Sequence, residues 1–229
     1  MNTTPPNERT LLGWMRANRN LLLFLVVLLM IVLMPAYQND RIGEVTFAVM
    51  NLMIVATSAL TNGAWRALYW TSVIIGAGAI AAAGLAFSLE LDWLFVPGWS
   101  LAAIVHLLSI VRLISEIFHA RSITRDHLFA CANAYLLMAV AWCYLYALLQ
   151  FVDPGALSGF GARKSLHPAD AMYFSFNVVT SVALTQVLPT NAWAKMVVLL
   201  QELASVLYMA FVISRLVGQY APSGAAPAK

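Results

Sequence analysis

Six apolar runs of bilayer-crossing length, parted by short polar breaks, account for most of this 229-residue chain. Spanning ~30 Å of hydrocarbon takes about 20 residues per helix. The runs fall at about 20–37, 45–65, 68–87, 97–118, 127–151 and 191–218. Lipid offers no hydrogen-bond partner to an open backbone, so each run predicts a helix and the expected fold is an all-α membrane protein with six transmembrane helices. With 62% hydrophobic and 10% charged residues, the chain is too apolar for a soluble domain, in which roughly a quarter of residues would be charged.

One segment breaks this pattern. Residues 153–169 form a loop containing Gly, Pro and Ser, and residues 170–180 are apolar but too short to span. Their expected form is a re-entrant helix, which is tolerated at membrane depth only where protein or a water-filled cavity surrounds its open end. Pro168 suits a first helical turn, and Asp170 complements the positive end of the helix dipole. Tyr173, Phe174 and Phe176 are expected to wedge the short helix against its neighbours.

Charge sets the topology. Arg9, Arg16, Arg19, Arg66, Arg121, Arg125, Arg215 and Lys229 fall on one side, whereas the opposite loops carry the mixed set Asp40, Arg41, Glu44, Glu90, Asp92, Asp153, Arg163 and Lys164. The excess of basic residues predicts that both termini are cytoplasmic in an inner cell membrane, so that the re-entrant segment enters from outside. The run 21–34 reads as a retained helix rather than a cleaved signal, because no small-x-small site stands out after Pro35. Leu11, Leu12, Trp14 and Met15 among the leading arginines suit either a short interfacial helix or a solvated basic leader. A dispersed net charge of +3 gives no support to nucleic-acid binding. Cys131 and Cys143 are twelve residues apart on one expected helix, roughly 18 Å along its axis, and cannot bridge each other within a subunit.

The stretch Y-F-S-F-N-V-V-T-S-V-A-L-T-Q-V-L-P at 173–189 resembles the pore helix and filter of bacterial potassium channels, Y-F-S-F-V-T-L-T-T-V-G-Y-G-D-I-T-P, and shares Tyr173, Phe174, Ser175, Phe176, Thr180, Val182 and Pro189 with it. The ending L-Y-M-A-F-V-I-S-R-L-V-G is similar to the final helix of that superfamily, and R-S-I-T-R-D-H and Y-L-Y-A-L-L-Q-F-V-D-P-G-A-L carry weaker likeness. The resemblance implies a homotetramer around one axis, with monovalent cations as the permeant species and the lipid bilayer as its medium. It divides the chain into a peripheral four-helix domain at 1–126, a pore domain at 127–218 and a short tail at 219–229. Arg112 alone on the fourth span is no arginine ladder, which argues against steep voltage sensing.

The filter positions depart from the superfamily. T-V-G-Y-G becomes Ser181, Val182, Ala183, Leu184 and Thr185, followed by Gln186 in place of an aspartate. Left-handed geometry at Ala183 and Thr185 would cost roughly 1–2 kcal/mol each, so the standard carbonyl filter is not expected. The sequence leaves open a wider filter lined by Ser181, Thr185 or Gln186 and a poorly conducting plug. In the pore helix, Asn177 takes an apolar or threonine position beside Thr180.

Glu202 lies nine residues past Trp193, roughly 14 Å into the membrane. An ionisable group at that depth marks a functional site by default. Glu202, Val206, Met209 and Ile213 share a helical face, which by the resemblance lines the cavity and an apolar gate, with Ser205 at a common hinge position. Four Glu202 carboxylates would favour cations; the alternative is a structural link to Asn177, Ser181 or Lys195. His106 reads as a satisfied interhelical polar residue.

No nucleophile elbow, phosphate loop or metal-ligand spacing is present, and no cofactor is expected. The reading is a non-enzymatic cation channel with a divergent filter. The alternative is a non-conducting or regulatory subunit of the same fold.

Overall fold

The computed structural model describes residues 14–15, 18–35, 40–61, 66–89, 91–120, 122–160, 166–182 and 184–220. Among the described residues, six longer helices and one half-helix follow each other, and their bounds track the apolar runs. They are α1 (Arg19–Val32), α2 (Asp40–Thr61), α3 (Arg66–Leu89), α4 (Phe95–His119), α5 (Arg125–Val152), the half-helix α6 (Pro168–Thr180) and α7 (Ala192–Tyr220). Three of them, α4, α5 and α7, are long and apolar enough to cross a membrane, whereas the segments Arg19–Val32, Thr46–Thr57 and Trp70–Ala86 are shorter apolar helices. The chain is an all-α membrane protein. Helix α1 stops at Val32, short of the expected end near Tyr37, and a tight turn at 34–35 follows. Pro35 has no N–H to extend a helical ladder.

Helix α5 is the hub of the bundle, packing on α4, α1, α6 and α7. Its buried surface is rich in small residues, among them Ala130, Ala134, Ala139 and Ala141. Small side chains let helix backbones approach closely, where packing rather than water exclusion drives association. The same device joins α2 and α3: a Cβ on Gly76 would meet Val55 Cγ1 at 2.7 Å.

A polar cluster ties the start of α1 to α4 and α5. Arg19 Nη2 lies 2.6 Å from Glu116 Oε1, and Arg112 Nη2 lies 2.8 Å from Glu116 Oε2. Asn20 Nδ2 donates to Asp126 Oδ2 at 2.7 Å, and Asn133 Nδ2 donates to the Asn20 carbonyl at 2.7 Å. Arg112 is therefore a buried, ion-paired residue. At the other end of the sequence, Arg215 near the end of α7 donates from Nη2 to the carbonyls of Phe118 at 3.0 Å and Ala120 at 2.8 Å, closing the C-terminal end of α4.

His106 corrects an expectation. Its Nδ1 lies 2.7 Å from the Ala102 carbonyl one turn back on the same helix, and its buried Nε2 has no hydrogen-bond partner among the described residues. The contact with α5 is instead aromatic, at 5.6 Å between the His106 and Tyr144 ring centroids.

Candidate functional site

Half-helix α6 begins at Pro168, carries Asp170 in its first turn and ends where Ser181 turns left-handed at φ 56°. Ser181 is the one described non-glycine residue with positive φ, so Thr185 takes no left-handed conformation. Ala183 lies outside the described residues.

Three layers of contact hold α6 between α5 and α7. The first is a buried polar chain: Ser175 Oγ donates to the Ala139 carbonyl at 2.6 Å, and Gln201 Nε2 donates to the Ser175 carbonyl at 2.9 Å and to its hydroxyl at 3.0 Å. Tyr146 donates its hydroxyl to Gln201 Oε1, which completes the bridge from α5 to α7. The second is aromatic, with Tyr146 edge-on to Phe174 at 4.8 Å. The third lies at the far end of α6, where Tyr135 donates to the Val179 carbonyl at 2.8 Å and stacks on Tyr208 at 5.9 Å. Tyr208 in turn donates to the Cys131 carbonyl at 2.6 Å.

The loop after α6 is held from two sides. Asn177 Oδ1 accepts from the Leu184 N–H at 2.9 Å, and Tyr173 donates its hydroxyl to the Leu184 carbonyl at 2.8 Å. Thr180 turns its hydroxyl back onto the Phe176 carbonyl at 2.8 Å, the i−4 bond of a helical threonine. Above the loop, Leu157–Ser158 (β1) pairs antiparallel with Leu188–Pro189 (β2). Gly159, at φ 95°, lies so close to Gln186 that a Cβ would fall 1.9 Å from its carbonyl oxygen. Only glycine fits there. Asp153 Oδ2 accepts from Asn191 at 2.6 Å, and Asn191 Oδ1 receives the Ala194 N–H at 2.8 Å, capping α7.

A groove of about 340 Å³ opens between α6, the loop and α7. Among the expected site residues, Asn177, Ser181, Thr185, Glu202 and Val206 line it together. Glu202 is exposed there and makes no hydrogen bond to Asn177, Ser181, Lys195 or any other described residue. Met209 and Ile213 continue the same exposed face of α7, while Val182 and Leu184 are exposed on the loop, as is Gln186. Ser205 falls on the other face: it is buried and bonds the Gln201 carbonyl at 2.7 Å. Gln201, Ser205, Tyr208 and Val212 form the packed side of α7.

Gln201 was not among the residues singled out from sequence. Its signal was an amide in the middle of an apolar helix, overshadowed by the adjacent carboxylate.

Residues 134–220 match the Ion_trans_2 family model, described as an ion channel. The match begins on α5 and runs through α6, the loop and α7, a little over a third of the chain. It covers every residue of the groove. It supports an ion channel of the potassium-channel-like superfamily, and with the apolar helices it marks a membrane protein. No curated protein and no solved structure matches the chain significantly.

Proposed function

We propose that this chain is the subunit of a homotetrameric cation channel in the inner membrane, with weak discrimination among monovalent cations. All six longer helices cross the bilayer in this reading, residues 1–126 form the outer layer, and residues 127–218 surround the pore. The observation that carries it is the convergence of two negative ends on one groove. The C-terminal end of α6, at Ser181, and Glu202 meet there, both within the region that matches the ion-channel family. The C-terminus of a helix carries a partial negative charge equivalent to roughly half an elementary unit. Paired with a carboxylate in a site of low dielectric, it attracts cations and repels anions.

Weak selectivity follows from the loop. A potassium filter replaces the hydration shell with stacked backbone carbonyls, and here the Leu184 carbonyl is already bonded to Tyr173. Ser181 and Thr185 line the groove instead, the Thr185 hydroxyl accepting the Val187 N–H at 3.1 Å.

Purified protein reconstituted into bilayers tests the reading. Cation currents whose reversal potential stays near zero under a potassium/sodium bi-ionic gradient are expected, from particles of four subunits. A potential close to the potassium Nernst value refutes weak selectivity. Silent bilayers with intact tetramers favour the non-conducting subunit.

A further inference from the structure

We propose that Tyr173 and Asn177 act as the positioning residues of the pore loop, clamping the backbone of Leu184 and thereby deciding which oxygens face a passing ion. The selectivity part of this rests on the channel reading above; the clamp itself does not.

The Leu184 side chain is 71% exposed, so burial does not fix this part of the loop. Hydrogen bonds must do so. Leu184 presents its N–H to Asn177 and its carbonyl to Tyr173, and the two partners stand one helical turn apart on α6. They are also joined to each other, because Asn177 Nδ2 donates to the Tyr173 carbonyl at 2.8 Å. That bond holds the asparagine amide in the one orientation that aims Oδ1 at the loop. Asn177 is 8% exposed, which shields the bond from competing water. Flanking ties are backbone contacts: the Val182 N–H reaches the Asn177 carbonyl at 3.2 Å, and Gly159 sits against Gln186. Between them the clamp is the side-chain restraint on Leu184 among the described residues.

The consequence is chemical. A carbonyl bonded to a phenol on α6 is drawn toward that helix and away from service as an ion ligand. The loop then presents the side chains of Ser181 and Thr185 to the groove rather than a carbonyl ring. Asn177 fixes where the loop lies, and Tyr173 fixes where its carbonyl points.

Hydrogen exchange on the full-length protein, paired with ion flux in vesicles, tests both halves. Wild-type protein should protect the Leu184 amide, and Asn177→Ala should speed its exchange about tenfold, the scale of one lost hydrogen bond, with α5 peptides unchanged. Asn177→Asp keeps the acceptor but loses the donor to the Tyr173 carbonyl that orients it, so it should recover only part of the protection. Tyr173→Phe should leave that amide protected while shifting the potassium/sodium permeability ratio by about threefold or more, in tetramers of normal thermal stability. Unchanged Leu184 exchange in a folded Asn177→Ala protein overturns the clamp. A permeability ratio unmoved by Tyr173→Phe overturns its positioning role. Wild-type vesicles that pass no cation overturn the channel reading and the selectivity half, while exchange at Leu184 still decides the clamp.

Discussion

Gln201 on α7 donates its side-chain amide to both the carbonyl and the hydroxyl of Ser175 on α6, at 2.9 and 3.0 Å, inside a region where neither residue meets solvent. The half-helix is thus anchored by a hydrogen bond that its neighbours cannot replace with water.

Gln201→Leu is expected to destabilise the protein by about 1–3 kcal/mol, because it strips Tyr146 of its acceptor and the Ser175 carbonyl of its donor. Adding Tyr146→Phe removes one orphaned group, so the double variant should lose less than the sum of the two single changes. Thermal unfolding in detergent, followed by tryptophan fluorescence, measures the difference.

Glu116 holds two arginines at once, with side-chain exposures of 27% for Arg19 and 8% for Arg112. Glu116→Gln removes the carboxylate that pairs directly with the buried Arg112, and a loss of about 2–4 kcal/mol is expected, moderated because Glu116 is partly solvated and Asp126 also acts on Arg112. Arg19→Gln removes only the more exposed partner and should cost less than about 1 kcal/mol. The ranking of the two melting temperatures checks the assignment.

Gly159→Ala should be among the most damaging single-methyl changes in the chain. The new Cβ would overlap the Gln186 carbonyl, and the left-handed backbone adds about 1–2 kcal/mol of its own. Reduced yield of assembled particles and faster exchange across β1 and β2 are the expected readouts.

Glu202→Gln is expected to leave assembly intact, since the carboxylate makes no hydrogen bond to a described residue, while lowering cation-over-anion preference by about threefold to tenfold. Reversal potentials under a potassium chloride gradient measure it. Normal preference with impaired assembly would reassign the residue to packing between subunits.

Much of the backbone plan could be read from the residues. Apolar runs bounded by charges give helices because lipid allows little else, and Pro168 with Asp170 signalled the start of α6, which begins two residues before the expected bound at 170. The pairing of side chains was far less legible. Arg19 was read for topology and Arg112 for voltage sensing, yet Glu116 pairs with Arg112 one turn away on its own helix and with Arg19 across 97 residues of chain, the second a contact with no local signature. Glu202 drew attention by its charge, whereas Gln201, one residue earlier and turned about 100° around the helix, is the group that meets α5 and α6. Ser205 was read as a hinge position by its alignment, and the helical phase puts it on the packed face of α7. Which face of an apolar helix looks inward is weakly encoded when lipid and protein interior are equally apolar.

Arg215 gives the bundle a mechanical property. By bonding the carbonyls of Phe118 and Ala120, it rivets the far end of α7 to the exit of α4, while Gln201 pins the middle of α7 to α6. The helix is thus a beam whose outer fixings stand some 14 residues apart, about 21 Å at 1.5 Å per residue, with Tyr208 bonded to the Cys131 carbonyl of α5 between them. A beam so supported can flex beyond Tyr208 once the outer rivet slips, and any tilt of α4 acts on it at the end of the longer arm.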